Sequence, residues 1–571
     1  MNILQIDFFR GKIIEKIADC LNIAQTEENL RKLEKIVMYG NENYCDYAIF
    51  LLSLANFTDN LEESAKKIIE SFENSDFEVK RIGKYINFTI KNDALFKHAL
   101  NTIFLEKENY GKVNIGKGRT VIVEYSSPNI AKPFSIGHLR STVIGDSLKR
   151  IYNYLGYKTI GINYLGDYGT QFGKLIYAYK YLAEKNKEEL LRKNGINYLV
   201  RLYVKYHKIE KENPQIEEKA REEFKKLENN DPENTKLWKL FREISFQEFK
   251  RIYSLLEVDF DAYESESENS KELKKVIKLL QEKNILIESK GAQVVDLEKY
   301  HLGKAIILKS DQTTIYLSRD LCTLVKRKDM YNFDKMIYVV GSEQKLHFKQ
   351  LFKIAELLNI NAELYHVDFG LYRLKEGKMS TREGRVVYME DVIKKVIEKV
   401  KKIINEKNVV KEDIDETARK LAISAIKFND LSQDRNKDIV FDEEVMLKIN
   451  GDTGIYLNYT LVRANGIIEK IKSKEIRIKK EYKSFEEACE RKLMKHLYLY
   501  PKILIDTIEA HKPHILAQYL LKCAKLFNDF YEKVNVLKSK DIEEKMLLVL
   551  AFMYVMRSGM QLLGLPCVYK M

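Results

Sequence analysis

Cysteine is scarce: Cys20, Cys45, Cys322, Cys489, Cys523 and Cys567 are the only six in a chain of 571 residues. No two have zinc-ligand or redox spacing, which excludes a disulfide framework and a zinc ribbon and leaves reduced thiols of a cytosolic protein. Long apolar runs are missing too. The longest near the end, Met546 to Met556, is well short of the roughly 20 residues that span a bilayer, so a core helix is expected there and no membrane partner. The start, Met1-Asn-Ile-Leu-Gln-Ile-Asp-Phe-Phe-Arg10, has no basic region ahead of a long apolar stretch, so no signal peptide is expected. There is no internal repeat and no low-complexity linker. Tryptophan occurs once, at Trp238, and is expected in a core.

What is abundant is charge. Lys and Arg number 97 against 84 Asp and Glu, a net +13. A basic excess suits a polyanionic partner. With both signs interspersed, charge alone does not separate one nucleic acid from another or from an anionic membrane. The length is too great for one core and implies three or four domains.

Val121-Ile122-Val123 reads as a buried strand, and Leu139, Val143, Ile144, Leu148, Ile151, Tyr152 and Leu155 recur at helical spacing. Between them lies Glu124-Tyr-Ser-Ser-Pro-Asn-Ile-Ala-Lys-Pro-Phe-Ser-Ile-Gly-His138. A strand, a loop and a helix N-terminus make an anion site, because free N–H groups and the helix dipole face the loop. Gly137 permits close approach, His138 and Lys132 can donate to phosphate oxygens, and Glu124 and Asn129 can hold a cationic ligand. Tyr157 to Asn163 is a second strand, so this is a βαβ unit and implies a parallel sheet. Residues 178 to about 300 read as a charged helical insertion. The sheet pattern resumes at Ala305–Leu308, Met336–Val340 and Glu363–Val367, giving a doubly wound sheet with ligands outside the carboxyl ends of its strands. A Gly-bounded basic loop, Gly377-Lys-Met-Ser-Thr-Arg-Glu-Gly384, suits a clamp on a triphosphate. Beyond Phe441 the pattern is helical, with one helix over Gly451–Lys472 and another started by Pro513.

Ser135-Ile-Gly-His138 and Lys378-Met-Ser-Thr-Arg382 together resemble the HIGH and KMSKS signatures of class I aminoacyl-tRNA synthetases. Ser127–Pro133, Gly166-Asp-Tyr-Gly-Thr-Gln-Phe-Gly173, Tyr316-Leu-Ser-Arg-Asp320 and Gly451-Asp-Thr-Gly454 narrow the resemblance to the arginyl-tRNA synthetase family over nearly the whole chain. The resemblance implies an α/β protein with a Rossmann-like catalytic domain at 113–375. It also implies an N-terminal added α/β domain at 1–112, a signature-loop and stem-contact region at 376–440, and an all-α anticodon-binding bundle at 441–571.

The implied reaction activates L-arginine with ATP, carried as its Mg2+ complex, and transfers the arginyl group to the 3′-terminal adenosine of tRNA(Arg). No structural metal is implied, and the expected enzyme is cytoplasmic and monomeric. His138, Lys132, Lys378 and Ser135 would stabilise phosphate charge, and Gly137, His138, Lys378, Met379, Ser380 and Val367 would line the ATP site. Glu124 and Asp320 would grip the guanidinium, with Tyr316 as a wall, Asn129 on the α-amino group and Gln344 lining the site. Tyr456, Asn458, Arg463 and, in the first domain, Asn87 would touch tRNA.

The chain departs from the family pattern at several places. Ser135 replaces the first histidine of HIGH, Tyr168 a usual tryptophan, Gln312 a glycine and Asn458 a glutamine, and the end lacks Pro-Glu-Arg-Met. Thr381 replaces the second lysine of KMSKS, as is common in arginyl enzymes, where a lysine placed like Lys132 is thought to compensate. These departures keep two alternatives open: a specialised paralogue that arginylates tRNA outside general translation, and a catalytically impaired tRNA-binding regulator.

Overall fold

The computed structural model describes residues 6–41, 44–130, 132–311, 313–373, 387–407, 413–440, 442–448, 451–471 and 487–570. The first domain sets α1 (Phe8–Cys20), α2 (Glu27–Ile36), α3 (Leu61–Ser71) and α4 (Asn92–Glu106) on an antiparallel sheet. Its strands are β1 (Val37–Tyr39), β2 (Tyr47–Phe50), β3 (Phe77–Ile82) and β4 (Tyr85–Ile90), in the order β1-β2-β4-β3. In β4 the pleat buries Ile86, Phe88 and Ile90 and turns Tyr85, Asn87 and Thr89 outward. Asp7 caps α1 and, although buried, accepts the hydroxyls of Tyr39, Tyr47 and Tyr498 at 2.7–2.8 Å.

The catalytic sheet is parallel, with β5 (Thr120–Glu124), β6 (Lys158–Leu165), β7 (Ala262–Ser265), β11 (Lys335–Tyr338) and β12 (Glu363–His366) in the order β12-β11-β5-β6-β7. The chain grows outward from β5 on one side and then returns to its other side. The switch point therefore lies between β5 and β11, with Glu124 at its carboxyl end beside Tyr338. Both faces are covered: Val121 and Val123 enter one core, and Ile122 enters the other. Helix α5 (Ile136–Tyr154) packs closely on β5 because Gly145 has no side chain; a Cβ there would lie 2.2 Å from that of Tyr125.

The insertion differs from the helical block expected over 178–300. After α6 (Thr170–Tyr177), helices α7 (Lys187–Glu212), α8 (Ile216–Glu228) and α9 (Pro232–Leu256) account for its first part. Asp231 caps α9, and Pro232 fills its first turn, where no N–H is needed. The chain then rejoins the parallel sheet as the edge strand β7. It goes on through α10 (Leu273–Glu282) to a separate antiparallel sheet of β8 (Leu286–Ser289), β9 (Ala292–Asp296) and β10 (Lys304–Leu308). Ala305–Leu308 thus belongs to that small sheet and not to the parallel one, since its backbone pairs with β9. Trp238 is half-buried, packs against the core and donates to the Asp167 carbonyl at 2.8 Å, joining α9 to the loop after β6.

Helices α11 (Tyr316–Tyr331) and α12 (Lys345–Leu357) complete the catalytic layers. A two-residue strand, β13 (Tyr372–Arg373), pairs with β14 (Ile439–Val440), and α13 (Met389–Lys407) and α14 (Ile414–Leu431) lie between them in sequence. After α15 (Glu443–Met446) come α16 (Gly454–Ile471), α17 (Ala488–Tyr498), α18 (Tyr500–Glu509), α19 (His514–Lys533) and α20 (Ile542–Leu562). Helix α16 starts three residues later than expected. Met546 to Met556 lies inside α20, where it is mostly buried. Among the described residues no helix is long and apolar enough to cross a membrane.

Candidate active site

The N-terminus of α5 opens at the carboxyl end of β5. Ser126 and Ser127 both hold left-handed conformations there, at φ 72° and 45°. Such strain persists only where surroundings fix it. An uncharged buried network does so. The Ser126 hydroxyl lies 2.7 Å from that of Tyr253 on α9 and accepts from Thr142 at 2.8 Å. Ser141 accepts the Ser126 N–H at 2.9 Å, and Asn163 donates to Tyr253 at 2.9 Å. The turn then runs into Asn129, which bridges Gly166 on the neighbouring strand's extension.

At the helix start, the Ser135 N–H donates to His138 Nδ1 at 3.0 Å, and the Ser135 hydroxyl sits 3.2 Å from the same nitrogen. Nδ1 is therefore the acceptor, and the ring proton is on Nε2. Burial, and next the charge of Lys132, push the His138 pKa down to about 4. At neutral pH His138 is an uncharged Nε2–H donor. The adenylation rate should accordingly show no His138 ionisation between about pH 5.5 and 8. A pH profile of pyrophosphate exchange tests this; an inflection near 6.5 that disappears in His138→Gln would contradict it.

Beside this helix start a cavity of about 280 Å³ is lined by Gly137, Arg140, Glu343, Phe369, Gly370, Leu371, Tyr372 and Arg373. Arg140 is fully buried and donates to the carbonyls of Gly370 at 2.9 Å and Lys437 at 2.7 Å. It fixes one wall of the cavity to α5. Val367 is packed in the core, and its N–H donates to the Tyr338 carbonyl at 2.8 Å. Lys378, Met379, Ser380, Thr381 and Arg382, like Gln312, lie outside the described residues.

On the other side of the switch point stands an acidic cluster. Glu124 is buried and its Oε2 is held by Arg327 of α11; the same guanidinium donates through Nε to Glu264 of β7 at 2.9 Å. Burial raises the Glu124 pKa, Arg327 opposes that rise, and Asp320 and Glu264 add to it. Asp320 is thus close enough to be felt electrostatically. Its Oδ2 accepts from His347 Nε2 at 2.6 Å. Glu124 and Asp320 each have one oxygen engaged by a side chain of the protein, and Glu264 has both, the second by the Tyr331 hydroxyl at 3.3 Å. Arg319, one residue before Asp320, pairs instead with Glu266 at 3.2 Å and lies over the rings of Tyr316 and Tyr168 at 5.3 and 5.8 Å. Tyr316 is 68% exposed at the start of α11, and Gln344 is exposed just before α12.

The catalytic-domain model of the class I tRNA synthetases for arginine, class I (R), matches residues 99–443, and that of the DALR anticodon binding domain matches 457–571. The chain belongs to the arginine-specific class I tRNA synthetase family. Members it resembles include an arginine–tRNA ligase of Clostridioides difficile, 41% identical over 97% of this chain and 99% of the relative. Another, from Halothermothrix orenii, is 41% identical over 98% of this chain and 99% of the relative. Among solved structures, the arginyl-tRNA synthetase of Plasmodium falciparum superimposes with a TM-score of 0.82 at 27% identity, covering 99% of this chain and all of that one. In these terms the family's catalytic model takes in the parallel sheet together with α13 and α14, and its anticodon model takes in α16 to α20.

Within that anticodon part, Arg463 donates to Asn528 at 2.8 Å and to the Tyr459 hydroxyl at 3.0 Å, while Asn528 donates to Tyr456 at 2.9 Å. The guanidinium lies 4.5 Å from the Tyr459 ring and 5.2 Å from that of Tyr531, which is 42% exposed. Tyr456 and Arg463 therefore belong to one aromatic patch shared by α16 and α19. Asn458 does not. It is fully buried, donating to the Pro566 carbonyl at 3.2 Å and accepting the Val568 N–H at 2.7 Å. It clamps the segment after α20, and no face of it is left for a base. Asn87 lies on the outward face of the N-terminal sheet beside exposed Tyr85.

Residues not anticipated include Arg327, His347, Arg140, Tyr253 and Tyr531. Arg327 carried a signal, since it stands seven residues after Asp320 and shares its helix face. Arg140 lies on α5 two residues after His138 and His347 three residues after Gln344, while Tyr253 and Tyr531 come from elements far away in sequence.

Proposed function

We propose that this chain is an arginine–tRNA ligase that forms arginyl-adenylate from L-arginine and the Mg2+ complex of ATP and then esterifies the terminal adenosine of tRNA(Arg) in the cytoplasm. The observation that carries the reading is the acidic pair Glu124 and Asp320 beside the amino end of α5. A planar guanidinium offers donors to two carboxylates at once, and each acid here has one oxygen held from behind. The α-carboxylate of the bound arginine would then point toward α5. There the His138 Nε2–H, the helix N-terminus and Lys132 would meet the phosphates, with Lys378 added from the signature loop. The cavity beside Gly137 and Gly370 suits the adenine ring. No covalent enzyme intermediate is needed. The carboxylate oxygen attacks the α-phosphorus and pyrophosphate leaves, so positioning and charge neutralisation supply the rate. The patch of Tyr456, Tyr459, Arg463 and Tyr531 would stack anticodon bases, and Asn87 would approach the tRNA body.

Charging of total tRNA with arginine, lysine and cysteine, together with arginine-dependent pyrophosphate exchange with and without tRNA, tests this. Arginine alone should be charged. Absence of both charging and exchange, with tRNA still bound, would overturn the reading in favour of a binding protein.

A further inference from the structure

His347 is the third residue of α12, which packs against α11, and its ring is edge-on to Phe348 at 5.2 Å and 90°. Its Nε2 lies 2.6 Å from Asp320 Oδ2. A carboxylate oxygen accepts, so Nε2 carries a proton. Both side chains are mostly covered, at 17% and 27% exposure. Lys345, two residues earlier, is turned away and pairs with Asp368 at 2.9 Å. The histidine is thus the only donor the structure directs at this carboxylate among the described residues' ion pairs.

The two acids are held in different ways. Glu124 is held by a permanent cation, Arg327, which also serves Glu264. Three carboxylates, Glu124, Glu264 and Asp320, share one arginine and one imidazole. The Nε2–H donated at 2.6 Å fixes the plane of the Asp320 carboxylate. An amine or amide ligand profits less from a fixed plane than a guanidinium, whose two parallel N–H donors demand one.

We propose that His347 is a positioning residue for arginine recognition: it orients Asp320 by a hydrogen bond and so sets selectivity for a planar guanidinium. This rests on the assignment of Asp320 to the substrate guanidinium.

The test uses His347→Phe, His347→Gln and Asp320→Ala in the full-length chain, with aminoacylation kinetics varied in arginine, ATP and tRNA. His347→Phe should raise the arginine KM at least 20-fold, leave kcat within threefold and leave the ATP KM unchanged. It should also narrow the preference for arginine over lysine. His347→Gln places an amide N–H where Nε2 stands, and it should recover most of the arginine KM. An arginine KM unchanged in His347→Phe, or a His347→Gln no better than His347→Phe, would overturn the proposal. Parallel loss of ATP and arginine use in both variants, with a lowered melting temperature, would also overturn it by showing a purely structural role. If Asp320→Ala leaves the arginine KM unchanged, the guanidinium assignment itself fails. If Asp320→Ala raises it and His347→Phe does not, only the role of His347 fails.

Discussion

Asp320→Ala lowers kcat/KM for arginine by about 10²–10³-fold, the equivalent of about 3–4 kcal/mol lost from a charged hydrogen-bonded contact in a covered site. The ATP KM changes little, because the α5 end of the site keeps His138 and Lys132. The basis is geometric. Asp320 is anchored by His347 at 2.6 Å and lies in the electrostatic field of Glu124, so under the proposed assignment its removal would leave the guanidinium one acid, already compensated by Arg327. Steady-state kinetics with each substrate varied separates the terms. Equal loss for arginine and ATP would mean that the substitution has disturbed the α11 packing rather than the pocket.

Arg327→Met has the larger effect on stability. Arg327 is 1% exposed and joins β5 to β7 through Glu124 and Glu264. Methionine fills much of the volume but leaves two buried carboxylates facing each other, a change that costs about 3–5 kcal/mol when one partner of a buried pair is lost. The sign of its pH dependence follows. Without the guanidinium the Glu124 pKa, already raised by burial, rises further above its unfolded value. The folded state then binds more protons than the unfolded state, so the deficit is largest at neutral pH and shrinks as pH falls toward the folded pKa. Thermal melts of Arg327→Met and the parent at about pH 5.5 and pH 7.5 should converge at the lower pH. A constant difference would show that lost packing, not unpaired charge, sets the cost.

The parts of the site that could be read from sequence are those built by contiguous residues. Val121–Val123, the loop and α5 form one local unit whose apolar periods change from strand to helix within twenty residues or so, and Glu124, Asn129, Ser135 and His138 come with it. What remained hidden depends on pairing across distance. Strand β7, Ala-Tyr-Glu-Ser, has little apolar pattern of its own and is a strand because β6 offers it an edge. Lys304–Leu308 has a proper strand pattern, yet pattern alone does not reveal that its partner is β9. The contact between Arg327 and Glu124 spans 203 residues, and that between Asn458 and Val568 spans 110. Asn458 looked like a surface residue of α16 because the segment that buries it comes from after α20. The neutral state of His138 also needed the fold, since it follows from burial and from a backbone donor at Ser135.

The Asp7 cluster bears on how the molecule is made. Tyr498 donates to Asp7 at 2.7 Å, and Arg491 and Lys495 reach Asp46 at 2.7 and 2.6 Å, so the first domain is completed by side chains from α17. A ribosome delivers α1 long before it delivers α17. During that interval Asp7 has its two local tyrosines, while Asp46 keeps, among the described residues' side-chain hydrogen bonds, the Ile90 N–H at 2.7 Å. The early domain must therefore wait, negatively charged at this seam, for the last third of the chain to close it. Closure joins the two ends of the synthesis in one buried junction, and synthesis arrested before α17 would leave a nascent chain with this acidic seam open.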